Sequence, residues 1–260
     1  MPKRTYKNPP IQEAICEFTF APTVPEWDLA IPGKLQLQKE LAEYSEPSRQ
    51  QYVQTVAANQ TKGQPDFALS NTLFRVHLPR KDGKALLSIG ANVLGVIVMK
   101  PYPGWDEDFR ARIVNALNVY TKITGQSVVK RIGIRYINRL IFPVVGASGA
   151  SKFLSIVQTE ISATTPTEAK VQGRLAAINT RHEFETADGF KIYITHATID
   201  PTTPKTSEYL LDIDAVCDSH TLDGVDKITP VMDKLHDIQG GIFEALITEE
   251  ARNLFDAASA

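Results

Sequence analysis

Long apolar runs are missing from this 260-residue chain. The longest, Val93 to Met99, suits a buried strand and falls far short of the roughly 20 residues that span a bilayer as a helix. The opening MPKRTYKNPP is basic and proline-rich with no apolar stretch behind it, which does not read as a secretory signal. Cysteine is scarce too. Cys16 and Cys217 form neither a disulfide framework nor a metal-type pair, and both fall in apolar, strand-like segments, so a reducing cytoplasm is the expected setting. Charge of one sign is also lacking: the net charge is −2 with a pI near 6.2, which excludes a general basic field for a nucleic-acid backbone. The first half is mildly basic and the second acidic, favouring attraction between halves over a polyanionic partner.

Recognisable catalytic sets are absent as well. Gly146 to Lys152, GASGASK, is the nearest approach to a phosphate cradle and lacks the P-loop spacing. Ser148 is followed directly by Gly149, so it is no nucleophile elbow. The five histidines (His77, His182, His196, His220, His236) include no H-x-x-x-H pair, and Cys217 with His220 has no second pair to complete a zinc site. Cys16 reads as a buried strand cysteine rather than a nucleophile. Glu13 and Glu17 lack the E-x-E-x-K alternation of triphosphate-tunnel enzymes. No catalytic residue, metal or cofactor is expected. Trp27 and Tyr102 lie beside prolines and are expected in exposed loops.

What is present is an element order that occurs twice. Ile11 to Phe20 alternates as a strand, with Gln12, Ala14, Cys16, Phe18 and Phe20 on one face and Ile11, Glu13, Ile15, Glu17 and Thr19 on the other. A helix follows Pro32-Gly33, with Leu35, Leu41 and Tyr44 as its stripe. Strands follow at Gln51 to Ala58, Phe67 to Leu78, and Ala85 to Met99, the last broken near Gly90-Ala91-Asn92. Asp82-Gly83 marks a hairpin. Trp105, Phe109, Ile113, Ala116, Leu117, Tyr120 and Ile123 recur at helical spacing, with Asp106 to Asp108 in the first turn and Gly125 as terminator. The second half runs through a strand at Arg131 to Pro143 and a short helix bearing Phe153, Leu154, Val157 and Ile161, capped by Ser151. Strands then follow at Val171 to Glu185, Phe190 to Ile199 and Tyr209 to Cys217, with a hairpin at Asp188-Gly189. A long helix has Val225, Ile228, Met232, Leu235, Ile238, Ile242 and Leu246 on its stripe, with Gly240-Gly241 expected to loosen its middle. Thr248 is expected to cap a last short helix.

The expected fold is therefore α+β, with tandem β-α-β(3–4)-α repeats forming a curved antiparallel sheet and long helices packed on one face. Residues 1–10 are a tail, 11–127 the first repeat and 128–260 the second, in one pseudo-twofold unit. The element order is similar to the TATA-box-binding-protein-like duplicated fold, in which two repeats join through their first strands. Two separate α+β lobes are the alternative.

Strand Arg131 to Leu140, RIGIRYINRL, places Arg131, Gly133, Arg135, Ile137 and Arg139 on one face. The three arginines form a row about 26 Å long. Were the repeats to meet through their first strands, Glu13 and Glu17 would face this row. In one reading they neutralise Arg131 and Arg135 and fix the register of the halves. In the other, the surplus Arg139 faces a groove and binds a phosphate or an acidic partner. Asp212 and Asp214, on one strand face, complete either picture.

The segments NPPIQEAICEF, RIGIRYINRL, LLDID and LHDIQGGIFEALIT resemble a sporadically distributed family of uncharacterised bacterial proteins. That resemblance implies a cytoplasmic protein from mobile-element, toxin–antitoxin or phage-defence neighbourhoods and supplies no catalytic residue. The expected function is non-catalytic binding of a protein partner, the product of a neighbouring gene. The alternative is a phosphorylated ligand, nucleotide or nucleic acid held along the arginine row.

Overall fold

The computed structural model describes residues 4–21, 30–46, 49–61, 64–143, 152–155 and 177–256, with backbone alone for 49–61 and 64–74. Strand β1 (Ile11–Phe20) pairs antiparallel with β5 (Val93–Met99) on one side and with β6 (Val128–Pro143) on the other. Its alternation is therefore read by two neighbours at once. Ala14, Cys16, Phe18 and Phe20 are at most 1% exposed, while the intervening side chains face the opposite surface.

Outward from β5 come β4 (Ala85–Gly90), β3 (Gln64–Pro79) and β2 (Arg49–Thr61). Outward from β6 come β9 (Thr206–Cys217), β8 (Phe190–Ile199) and β7 (Asn179–Glu185), while the short β10 (Leu222–Asp223) pairs with the start of β6. Every pairing is antiparallel, and the two halves of the chain share one sheet. Asp82-Gly83 and Asp188-Gly189 make their hairpin turns with φ of 72° and 76° at the glycines, a region that L side chains rarely enter.

The helices are α1 (Ala30–Gln36), α2 (Arg110–Thr124), α3 (Val225–Leu246) and α4 (Glu249–Asp256). Helix α2 is led by a wide π turn, Trp105–Phe109, and ends at Gly125, whose φ is 70°. It buries Ile113, Ala116, Leu117 and Tyr120 against the apolar face of the sheet, where Phe20 stacks on Tyr120 with centroids 4.7 Å apart. The core has two parts. One gathers β1, β4, β5, the first half of β6, α1, α2 and the start of α3; the other gathers the second half of β6 with β8, β9, the end of α3 and α4.

Several expectations need correction. Helix α1 begins before Pro32, where proline is tolerated in the first turn, and stops at Gln36. Leu41 then belongs to a separate 3-10 turn and Tyr44 to an isolated bridge with Arg80. Strand β7 begins at Asn179; residues 171–176, Trp27, Ser151, Val157, Ile161 and nearly all of the 146–152 loop lie outside the described residues. Gly240-Gly241 does not interrupt α3, which stays helical to Leu246. Ile228, Met232 and Leu235 are buried as expected, the buried line continues through Gln239 and Phe243, and Val225, Ile238, Ile242 and Leu246 pack half-buried against the core beside it. The Thr248 hydroxyl donates to the Lys152 carbonyl instead of capping α4.

Cys16 and Cys217 are 0% and 2% exposed on the packed face, and burial pushes the Cys16 thiol well above the usual thiol range. Both are expected to resist a disulfide-exchange reagent in the folded protein and to react fully after denaturation. Labelling of the native protein at the rate of a free thiol would contradict this packing.

Candidate functional site

The structure brings the charged strand residues together on the face opposite the helices. Glu17 lies between Gly95 of β5 and Gly133 of β6 in register, and two arginines close over it: Arg75 at 2.6 Å and Arg131 at 3.5 Å. Arg131 also reaches Asp214 at 3.7 Å. The space over Gly133 is already occupied, since an added Cβ would stand 3.3 Å from both the Arg131 guanidinium and the Asp214 carboxylate. Glycine at that position makes room for the ion pairs.

Arg135 pairs in a two-pronged contact with Asp212, at 2.8 and 2.6 Å, and not with Glu13. The exposed Glu13 stands outside ion-pair distance and acts on Arg135 only through its field. Arg139, expected as the surplus cation, is matched as well: its Nε donates to Glu208 at 2.6 Å. Both Arg135 and Arg139 reach diagonally, each to the β9 residue opposite the position two further along β6. Glu208 is 2% exposed and also accepts from the Thr202 amide and hydroxyl.

In this strip four arginines (Arg75, Arg131, Arg135, Arg139) meet five carboxylates (Glu13, Glu17, Glu208, Asp212, Asp214). The row offers an anion no surplus of positive charge. Its geometry is that of a cross-strand network that sets register.

A second constellation lies on the other face, where the two parts of the core meet. Along β6 the buried side chains run Ile132, Ile134, Tyr136, Asn138, Leu140, Phe142, and along α3 they run Ile228, Met232, Leu235, Gln239, Phe243. Each apolar series is broken once by an amide, at Asn138 and at Gln239. Both amides line a cleft of about 680 Å³ whose walls are residues 4–11 before and at the start of β1, the Tyr102–Glu107 loop and the middle of α3.

Asn138 donates through Nδ2 to the Leu211 carbonyl at 3.1 Å, and no described residue donates to its Oδ1. Gln239 is 5% exposed and makes no side-chain hydrogen bond to any described residue. Its polar atoms are not sealed off from solvent but open to the cleft, so this core position of α3 keeps an amide available to whatever fills the cleft.

Beside these amides the Tyr102 and Tyr136 hydroxyls are 3.0 Å apart, and the Tyr136 hydroxyl is 3.0 Å from His236 Nδ1. His236 stacks flat on Trp105, with centroids 4.1 Å apart and planes 5° apart. Burial drives the Tyr136 hydroxyl well above the ordinary phenol range and raises Tyr102 too, with the carboxylates of Glu107, Asp106 and Asp108 adding to the latter. Both phenols therefore stay protonated and serve as hydrogen-bonding groups. Tyr102, expected in an exposed loop, is half-buried in this wall.

Gly240 and Gly241 complete the lining. Each costs roughly 1 kcal/mol against alanine inside a helix. Neither is needed for close packing, because a Cβ added at either meets nothing within 4 Å. Their absent side chains leave the helix backbone open to the cleft. Asn138, His236, Gln239 and Phe243 were missed as site residues in the sequence. The available signal was a polar residue at a core position of two separate periodic series, flanked in one of them by paired glycines.

No protein-family model matches the chain, and no curated protein sequence is detectably similar to it. No described helix is long and apolar enough to cross a membrane, and no described cluster of His, Cys, Asp or Glu could hold a metal ion.

The charged face yields two predictions. Burial pushes the Asp214 carboxyl up, Arg131 and Arg135 oppose this, and Asp212 and Glu17 add to it; the net shift is upward. A carboxyl raised in the folded state favours folding only when protonated, so stability from this group is lost as pH rises through its folded value. Asp214→Asn should therefore raise the melting temperature at pH 7, with the gain shrinking in acid; a loss at pH 7 would reverse the assignment. Burial likewise pushes the Glu208 carboxyl up, but its Thr202 and Arg139 contacts outweigh this and hold it below the usual range. Its contribution is present above the unfolded value and lost as pH falls through the folded one. Arg139→Ala should cost about 1–3 kcal/mol in urea unfolding at pH 7, less in acid.

Proposed function

We propose that this chain is a non-catalytic binding protein that holds a small molecule in the cleft between the two parts of its core. The observation that carries the reading is the paired interruption at Asn138 and Gln239, where hydrogen-bonding capacity is buried and left facing open space. The cleft volume is in the range of small-molecule sites, and aromatic walls with a few convergent polar groups are their usual composition.

The same reading takes the fold as a duplication. Strand β1 and strand β6 lead equivalent halves, each with a long helix, α2 or α3, and they meet along the axis between the repeats. Gln239 and the paired glycines have no equivalent on α2, while the walls of the cleft come from both halves. A protein partner in a defence or toxin–antitoxin setting, the expectation drawn from the family resemblance, has less support from the surface. Among the described residues the large exposed apolar side chains are Leu37, Ile141, Phe184 and Leu254, from four separate parts of the chain.

Gly240→Met supplies the test, because it improves helix propensity while filling the cleft. The wild-type chain, incubated with a metabolite extract and examined by native mass spectrometry, should carry one small-molecule adduct per chain. The variant should lose the adduct while melting at the same temperature or higher. Equal adducts on both proteins, or none on either, would remove the cleft as the binding site.

A further inference from the structure

We propose that the ligand of this cleft is a small organic cation, an ammonium or guanidinium group carried on an apolar body. This rests on reading the cleft as a ligand site and adds the chemistry of its occupant. The lining holds four carboxylates, Asp106, Glu107, Asp237 and Glu244, against two cations, Arg4 and Lys7. Some of these are already engaged. Arg4 pairs with Glu249 and Asp256, and Glu244 with Arg252 and the Tyr6 hydroxyl.

Asp106 and Glu107 form no ion pair with any described residue, and they stand on the same loop as Trp105. The Glu107 carboxylate lies against Gly104, so close that a side chain there would collide with it; the glycine, at φ 100°, leaves the acid its place at the mouth. The site thus combines a negative lip with the half-buried Tyr102 phenol behind it, while the Trp105 indole is taken up by the His236 ring; the lip attracts a cation and repels an anion.

Deeper in, the open hydrogen-bonding capacity is accepting at Asn138 Oδ1 and of both kinds at Gln239. An ammonium brings three donors and a guanidinium five, which suit the two amide oxygens, while the Gln239 Nε2 donors remain turned to water in the cleft. The Gln239 amide is the independent sign of an open site: it is 5% exposed, makes no side-chain hydrogen bond to a described residue, and its polar atoms open into the cleft.

The test uses the full chain and three probe types with one common body, measured by titration calorimetry at low and high salt. The cations are 2-phenylethylamine and 2-phenylethylguanidine, the neutral analogue is 2-phenylethanol, and the anion is 3-phenylpropionate. At least one cation should bind tenfold or more tightly than the alcohol and the acid, and should weaken as salt is added. The double change Asp106→Asn with Glu107→Gln should reduce that affinity at least fivefold with only the small fall in melting temperature that loss of two first-turn acids brings, and Gly240→Met should abolish binding. Binding of the alcohol or the acid as tight as the amine, and lost in Gly240→Met, would overturn the charge assignment while leaving the cleft as a ligand site. Cation binding unchanged by Gly240→Met would place the cation elsewhere and overturn the proposal. Failure of both cations to bind at millimolar concentration would overturn it too; the metabolite adduct then decides separately whether the cleft is a site at all.

Discussion

The pairing of β1 with β6 is the constraint on which the rest of this molecule depends. Each strand sits in the middle of the sheet with a neighbour on both sides, and each is apolar on one face and charged on the other. A slip of one residue would move Phe18 and Phe20 into the charged layer and bring Glu17 into the core. Hydrophobic alternation alone would still tolerate slips of two residues. The ion pairs remove that freedom, because Glu17 must lie beside Gly133 for Arg131 to reach over it, and Arg135 must face β9 where Asp212 is within reach. Any one such pair near the surface is worth roughly 0–1 kcal/mol. Together they contribute to specificity of register more than to bulk stability.

The two faces solve the polar-group problem in opposite ways. On the charged face, guanidinium and carboxylate groups close on one another, even at the buried Glu208, where Thr202 satisfies what Arg139 does not. On the packed face, the Tyr102–Tyr136–His236 chain is joined through its hydroxyls, but the neighbouring Gln239 is joined to nothing described. Many charges made the first face conspicuous, yet charge that is matched within the fold has little left for a ligand. A single neutral amide without a partner carries more functional information than the arginine row.

Much of the architecture was legible in sequence because it rests on periodicity. The alternation of IQEAICEF and RIGIRYIN fixed which residues face inward, and the turns at Asp82-Gly83 and Asp188-Gly189 follow from a backbone conformation that glycine supplies. The site was not legible, for a physical reason. Arg139 looked surplus because Glu208 is distant in sequence and finds it only through the diagonal reach between β6 and β9. In sequence the apolar residues Ile238, Ile242 and Leu246 define the stripe of α3; they do pack half-buried against the core, while the buried line runs through Gln239 and Phe243, one position further round the helix.

That small rotation explains why the cleft lies where it does. On one side of the helix Ile238 packs half-buried against both parts of the core and closes the seam. With Gln239 inward, the helix presents an amide to Asn138 across the seam, Gly240 and Gly241 follow with no side chain to fill the gap, and Phe243 restores apolar contact beyond it. Helix propensity disfavours the two glycines by roughly 1 kcal/mol apiece, and the residue before them puts an amide at a core position. An amide and two glycines in three consecutive residues, all bordering one cleft, are hard to reconcile with packing as the selecting constraint. They are what a helix retains when its backbone and a buried amide must stay accessible to something that is not part of the chain.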